Sequence, residues 1–238
     1  MTEEAFQRQE MLLGETAMAR LQRAHVMVFG LGGVGSYTAE GLARAGIGAL
    51  TLIDCDTVGV SNLNRQLCAL QSTLGKNKSD VMAQRVLDIS PQCRVRSVPL
   101  RYTDETKEIF FEQKCDFIVD AIDLVSCKLS LICTAKERGI PIVSAMGTGN
   151  KLDATQLRFA DISKTAGCPL ARVMRRELRA RGVAHHTVLY SEEQPLKPMQ
   201  AEEPPPGRRE IPGSVSWVPS CAGLLLAGYV VQVLINEA

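Results

Sequence analysis

HVMVFGLGGVGSYTAEGLARAGIGALTLID, residues 25–54, is the stretch that decides the fold. His25–Phe29 is a compact apolar run that stops at Gly30. Glycines follow, then Ser36–Ala45 has helical composition, and Leu50–Ile53 is a second apolar run ending at Asp54. A parallel strand is covered by helices on both faces, so it needs no polar side and reads as a short unbroken apolar run. The segment therefore predicts strand, glycine turn, helix, strand: a βαβ unit.

The alternation continues downstream. Lys78–Ile89 reads as a helix stopped by Pro91. Arg94–Pro99 is a strand, Thr106–Gln113 a helix, and Phe117–Ala121 a strand leading into Asp120–Asp123. Lys128–Arg138 is a helix ended by Gly139, and Ile140–Ala145 is the next strand. Upstream, Phe6–Arg20 is an amphipathic entry helix with Met11, Leu12 and Met18 as its apolar points. The fold class is α/β, with an open, doubly wound, mostly parallel sheet.

After Gly147 the pattern changes. Gln156–Ala160 and Thr187–Tyr190 read as strands, Pro169–Arg181 as a helix, and Val215–Val218 as a last strand before an apolar terminal helix. Gln194–Pro212 carries six prolines and reads as a mobile loop or lid. The organisation expected is a region of alternating strands and helices over 1–150 and a C-terminal extension over 151–238, within one compact domain.

Composition excludes several classes. With 45% hydrophobic and 22% charged residues over 238 positions, the chain is globular rather than disordered. A net charge of +1 gives no bulk case for nucleic-acid binding, and only a local basic patch would serve it. The eight cysteines form no Cys-x-x-Cys, so no zinc is expected. The polar N-terminus is unlike a signal or transit peptide, and reduced cysteines suit the cytoplasm. The longest apolar run, Cys221–Leu234, falls short of the roughly 20 residues of a membrane span and reads as a buried helix.

The chemistry begins at Gly30, Gly32, Gly33 and Gly35. They match G-x-G-x-x-G between a strand and a helix, where backbone approaches phosphate and the helix N-terminus favours negative charge. Asp54 ends the next strand 19 residues after Gly35, where an acid binds ribose hydroxyls. That much fits NAD, FAD or any other nucleotide. Asp54-x-Asp56, then Ser61–Gln66 (SNLNRQ) and Lys78, narrows it. Hydride transfer needs no Arg65 and Lys78 beside phosphates. Nucleotidyl transfer does, because charge builds on the triphosphate as pyrophosphate leaves. Asp123 ends a later strand near the same sheet edge, where a carboxylate suits Mg²⁺ between phosphate oxygens.

These segments resemble the ubiquitin-activating-like (ThiF/MoeB-type) adenylating enzymes. The resemblance rests on GLGGVGS (30–36), DCDTVGVSNLNRQ (54–66), Lys78 and DAID (120–123). It implies a Rossmann-like fold, ATP and Mg²⁺, and a homodimer. It implies that Asp54 binds the ATP ribose, Arg65 and Lys78 its phosphates and Asp123 Mg²⁺. Asp56, Asn62, Gln66 and the four glycines would complete the ATP site. Arg8 matches the family arginine that reaches into the partner's active site. RQEMLLG (8–14), GIGALTLID (46–54), DATQLRFA (153–160) and DISKTAGCPL (161–170) are most similar to the tRNA threonylcarbamoyladenosine dehydratases. Those enzymes activate a carboxylate beside a tRNA anticodon with ATP and close a ring with net loss of water. The alternative within the family is an adenylyltransferase for the C-terminal glycine of a ubiquitin-like sulfur carrier, with a sulfur-transfer or carrier-protein partner.

A tRNA substrate needs cations. Arg172, Arg175, Arg176 and Arg179 fall on one stripe of the 169–181 helix, opposite Leu170, Val173, Met174 and Leu178. Phosphate tracking and a merely solvated face are both consistent with that stripe. Arg208 and Arg209 lie in the proline-rich loop and read either as further contacts or as soluble loop charge. Cys168 at a helix start is the best placed thiol for a thioester, but burial of a small residue is the commoner use. Whether a sulfur-transfer partner docks on Cys221 stays open. His185 and His186 read as surface residues with no metal role.

Overall fold

The computed structural model describes residues 4–199 and 212–236. Gln194–Pro212 thus falls partly, and Arg208 and Arg209 wholly, outside the described residues. The chain enters through α1 (Gln7–Leu13) and α2 (Glu15–Arg23). The entry helix expected over 6–20 is split by Gly14, whose φ of 80° only glycine adopts without strain.

β1 (His25–Phe29), α3 (Gly35–Arg44) and β2 (Ala49–Ile53) form the expected βαβ unit. Next come α4 (Lys78–Ile89), β3 (Arg94–Val98), α5 (Lys107–Phe110), β4 (Phe117–Asp120), α6 (Val125–Glu137) and β5 (Ile142–Ala145). β6 (Leu157–Asp161), α7 (Pro169–Ala180), β7 (Thr187–Ser191) and α8 (Trp217–Asn236) follow. One seven-stranded sheet runs β3-β2-β1-β4-β5-β7-β6, so both sequence regions share it. Every neighbouring pair is parallel except β6 against β7.

Each strand feeds two cores, as its alternating side chains require. Val26 and Val28 face the side covered by α2, α3, α4 and α8, with Leu42, Met82 and Leu226. Met27 and Phe29 face the other side, with Phe110 of α5, Leu131 of α6 and Met174 of α7. Phe29, Tyr102 and Phe110 make mutual ring contacts with centroids 5.4–5.6 Å apart.

α8 is longer than its apolar run suggests and by length and composition matches a membrane span. Its row of Val218, Ala222, Leu226 and Val230 is nonetheless buried in the core. It packs on α3 at backbone distance: a Cβ on Gly223 would collide with the carbonyl oxygen of Val34 and lie 2.7 Å from the Tyr37 Cβ.

Four local expectations are corrected. Val215–Val218 is not a strand: residues 212–215 are irregular and α8 starts at Trp217, with Pro219 in its first turn where no N–H is needed. The helix expected over 106–113 shrinks to the single turn of α5. On α7 the buried row is Ala171, Met174 and Leu178, whereas Val173 is exposed. His186 is 1% exposed rather than on the surface, and its Nε2 lies 2.8 Å from Ser144 Oγ. Burial, with Lys136 and Lys128 nearby, pushes its pKa down to about 3, so the ring stays neutral. His185 is exposed, as expected.

Glu40 of α3 joins two helices. It accepts bonds from Arg44 (2.8 Å) and from Arg85 of α4 (2.7 and 3.0 Å). Burial works against its charge, but the two arginines outweigh burial and hold its carboxyl below the ordinary 4.5. A carboxylate with a depressed folded pKa stabilises fully above its unfolded pKa and loses that contribution as pH falls through the folded one. Glu40→Gln is therefore expected to cost about 1 kcal/mol at pH 7, a fall of roughly 2–4 °C in Tm. The gap should start to narrow as pH falls below 4.5 and close only below the lower folded value; a gap independent of pH would contradict this account.

Candidate active site

The site lies where the strand order reverses. β1 hands the chain to β2 on one side and is flanked by β4 on the other, leaving a crevice at their carboxyl ends. Gly30 donates its N–H to the Ile53 carbonyl (2.8 Å), and Ala121 donates to the Phe29 carbonyl (2.8 Å). Gly30 has φ 85°, and a Cβ there would lie 2.6 Å from the Ala121 carbonyl oxygen. The strand ends are therefore too close for any side chain at this point.

Asp54 ties the acidic end of β2 to the glycine turn. Its carboxylate accepts the N–H of Leu31 (2.6 Å) and of Asp56 (2.8 Å). Burial raises its pKa, and those backbone donors and Lys78 oppose the rise only in part. Lys78 sits buried at the start of α4, with Nζ 3.1 Å from Asp56 Oδ2. Burial acts against the Asp56 charge, but Lys78 outweighs it and the Asp56 pKa is lowered.

The 59–67 segment folds over the same turn. Asn62 Oδ1 accepts the Gly59 N–H, and its carbonyl accepts from Arg65 (3.1 Å) and Gln66 (2.9 Å). Ser36 Oγ donates to the Gly32 carbonyl (2.6 Å) and accepts the Leu67 N–H (3.2 Å). A Cβ on Gly32 would be 3.7 Å from Gln66 Nε2, and one on Gly33 would be 3.7 Å from Arg65 Cγ. Gly33 also faces Pro219 of α8. Arg65 and Gln66 therefore flank the glycines, and Lys78 joins from α4 through Asp56.

β4 supplies the opposite wall. Asp120 and Lys128 form an ion pair of 2.7 Å, both side chains fully buried, and Asp120 also accepts the Ile122 N–H (3.1 Å). Asp123, three residues on, is exposed and makes no hydrogen bond or ion pair with another described residue. No direct bond joins Arg65, Lys78 and Asp123. The one group of three metal-ligand side chains within mutual reach among the described residues is Asp54, Cys55 and Asp56, which excludes Asp123. Arg8 is exposed on α1 and likewise bonds to no other described residue.

On α7 the arginine stripe divides. Arg175 turns back to the Thr165 carbonyl (2.7 Å) and hydroxyl (2.8 Å), and Arg176 pairs with Glu177 (2.8 Å). Arg172 and Arg179 are exposed and make no such bonds. With Ala180 these four arginines line a cavity of about 510 Å³. A larger cavity of about 670 Å³, between α6 and α7, includes Ser126, Ser130, Glu137 and Arg181 and none of the glycine-turn residues. Cys168 is 4% exposed at the start of α7, and Cys221 is half-buried.

Asn64 carries a role that the sequence does not signal. Its Oδ1 accepts from Arg65 (2.9 Å) and its Nδ2 donates to the Ser214 carbonyl (2.9 Å), 150 residues away. A long-range contact of this kind leaves no periodicity or spacing to read. The glycine turn offers backbone donors at a helix start, with Arg65 beside Gly33 and Lys78 joined through Asp56. Donors and cations so placed suit a phosphate group.

Known proteins are similar to this chain in sequence and fold. A bacterial protein, "tRNA threonylcarbamoyladenosine dehydratase" of Bacillus subtilis (strain 168), is 40% identical over 98% of this chain and 95% of its own length. The protein of the same name from Escherichia coli (strain K12) is 43% identical over 71% of this chain and 63% of its own length. The crystal structure of E. coli tRNA N6-threonylcarbamoyladenosine dehydratase, TcdA, in complex with ATP superposes with a TM-score of 0.88 at 34% identity. That superposition covers 98% of this chain and 94% of the other. The family model for ThiF matches residues 6–238. On that match and the near full-length relative, the chain belongs to the ThiF family.

Proposed function

We propose that the chain is an ATP-dependent enzyme that adenylates the carboxylate of threonylcarbamoyladenosine in tRNA and then closes it to the cyclic form. The observation that carries the reading is the Asp54 carboxylate bound to the Leu31 N–H across the glycine turn, with Arg65 beside Gly33. Near full-length relatives bear the name of that reaction, and one was crystallised with ATP.

A free carboxylate is a poor electrophile, and AMP is a good leaving group. In the first step a carboxylate oxygen attacks the α-phosphorus, the bond to the β-phosphate oxygen breaks, and pyrophosphate departs. The side chain's own carbamoyl group then attacks the acyl carbon and expels AMP. AMP carries away the carboxylate oxygen and the carbamoyl group releases a proton, so the nucleoside has lost one water. No protein nucleophile is needed, which agrees with the burial of Cys168.

The residues act by placement and charge. The N–H groups at the start of α3 face the phosphates, Asp54 takes the ribose hydroxyls, and Arg65 and Lys78 offset charge on the leaving pyrophosphate. Lys78, though buried, pairs with the exposed Asp56 carboxylate. Asp123 fits Mg²⁺: its carboxylate is exposed and unpaired, and Mg²⁺ accepts one carboxylate with phosphate oxygens and water. Bound there, the ion would neutralise phosphate charge and hold the triphosphate in line. Arg8, unpaired on α1, serves the partner's site in a homodimer. Arg172 and Arg179 contact tRNA phosphates from the α7 cavity, while Arg175 and Arg176 are held by Thr165 and Glu177.

The function is tested by AMP and pyrophosphate release from MgATP in three arms: modified tRNA, the same tRNA unmodified, and a carrier protein ending in Gly-Gly. Release with modified tRNA alone, with loss of one water from the nucleoside by mass spectrometry, is expected. Release with the carrier alone would replace this reading with the sulfur-carrier one. In the same assay Asp123→Ala should abolish release at unchanged Tm; full activity there would remove the Mg²⁺ assignment. Mixed Arg8→Ala and Arg65→Ala proteins should recover part of the activity neither has alone, and verified heterodimers without recovery would exclude a shared site. Joint Arg172→Ala and Arg179→Ala substitution should weaken tRNA binding and lower its log K against log [salt] slope by about 1 to 2. An unchanged slope would leave the stripe as ordinary surface.

A further inference from the structure

Asn150 is the one non-glycine residue among the described residues with positive φ, at 59°. Asn tolerates this left-handed conformation better than most side chains, but the strain is real and something must hold it. The holding bonds all come from chain distant in sequence. Asn150 donates its N–H to the Gly213 carbonyl (2.7 Å), and its Oδ1 accepts the Gly213 N–H (2.6 Å). Its own carbonyl accepts the Leu196 N–H (2.8 Å). Pro212 packs on Gly149, where a Cβ would lie 2.7 Å from the proline Cβ. Asn150 thus clasps two stretches of chain to the loop that leaves β5.

The clasp continues into the ATP site. Ser214 follows Gly213, and its carbonyl accepts Asn64 Nδ2 (2.9 Å). Asn64 Oδ1 in turn accepts from the Arg65 guanidinium (2.9 Å), whose same nitrogen also donates to the Ser61 carbonyl (2.7 Å). A side-chain amide that donates on one side and accepts on the other has its orientation fixed by both neighbours. A continuous set of bonds therefore runs from Asn150 through Gly213–Ser214 and Asn64 to Arg65. A second anchor keeps the segment close: Trp217 Nε1 donates to the Leu152 carbonyl (2.6 Å).

We infer that Asn64 and Asn150 are positioning residues that set the Arg65 guanidinium against the triphosphate. The inference rests on Arg65 being a phosphate ligand, as proposed above. A flexible arginine on a surface segment samples many rotamers, and holding it in the binding geometry beforehand removes that entropy from the cost of binding ATP. Asn64 spends both its amide atoms, and Asn150 its Oδ1, on protein partners. Both act through the arginine, so their effects lie in series.

The experiment is equilibrium titration of the full-length protein with MgATP, with Tm and pyrophosphate-release kinetics recorded for each variant. Asn150→Gly keeps the left-handed backbone and its two backbone bonds but removes the Oδ1 acceptor. Asn64→Ala removes both amide bonds from an exposed position and leaves the core untouched. Each is expected to weaken ATP binding about three- to tenfold, the size of one or two modest hydrogen bonds. The loss should appear in KM for ATP more than in kcat. The double variant should be no weaker than the worse single, because removing either link already frees the arginine. In an Arg65→Ala background neither substitution should weaken ATP further. Losses that multiply in the double variant, or that persist without Arg65, would overturn the relay. Arg65→Ala binding ATP like the natural protein would instead overturn the phosphate-ligand reading, and the relay with it.

Discussion

Gly30 stands where three parallel strands deliver their carboxyl ends to one line. Its N–H is spent on β2, through the Ile53 carbonyl, and its α-carbon presses on the Ala121 carbonyl after β4. With no room for a side chain there, the chain must leave β1 through a glycine turn and enter α3 beside the crevice. The Asp54 carboxylate then closes that turn against β2. The positions of Arg65, Gln66 and Pro219 all follow from this packing, because each is placed against a glycine of the same turn.

The electrostatics of the crevice follow a similar logic of exclusion. Asp120 is close in sequence to Asp123, yet it is wholly buried and neutralised by Lys128. Buried pairs of this kind are seldom worth much in stability, since desolvating two charges offsets their attraction. What the pair does is fix the turn after β4 through the Ile122 N–H, leaving Asp123 as the acid that faces solvent. Two acids in one short motif therefore have different duties, set by burial alone. Lys78 and Asp56 divide in the opposite sense: the cation is buried and the acid exposed.

Much of this was legible in the sequence because it is local. The strand and helix from His25 to Ile53 appear where apolar runs and glycines put them, and α4 begins at Lys78 and ends at Ile89 as its pattern predicts. The candidate ATP residues gather around the glycine turn because a βαβ unit brings strand ends together whatever the surroundings. What the sequence concealed is non-local or backbone-driven. Gly14 breaks a helix whose composition is continuous, and α8 begins at Trp217, inside the 215–218 run that reads as strand. His186 is buried by the strand beside it, although its neighbour His185 is solvated. Asn64 and Asn150 acquire their partners from residues 213 and 214, which no spacing rule connects to them.

The packing of α8 on α3 has a consequence for biosynthesis. α3 is covered by α8 at backbone distance through Gly223, and Pro219 abuts Gly33. The apolar side of α3 stays bare until residues 217–236 have been made. Contacts this far apart in sequence are slow to form, and partly covered intermediates expose apolar surface meanwhile. A nascent chain therefore lacks both the cover on α3 and the Pro219 contact of the glycine turn until α8 has emerged.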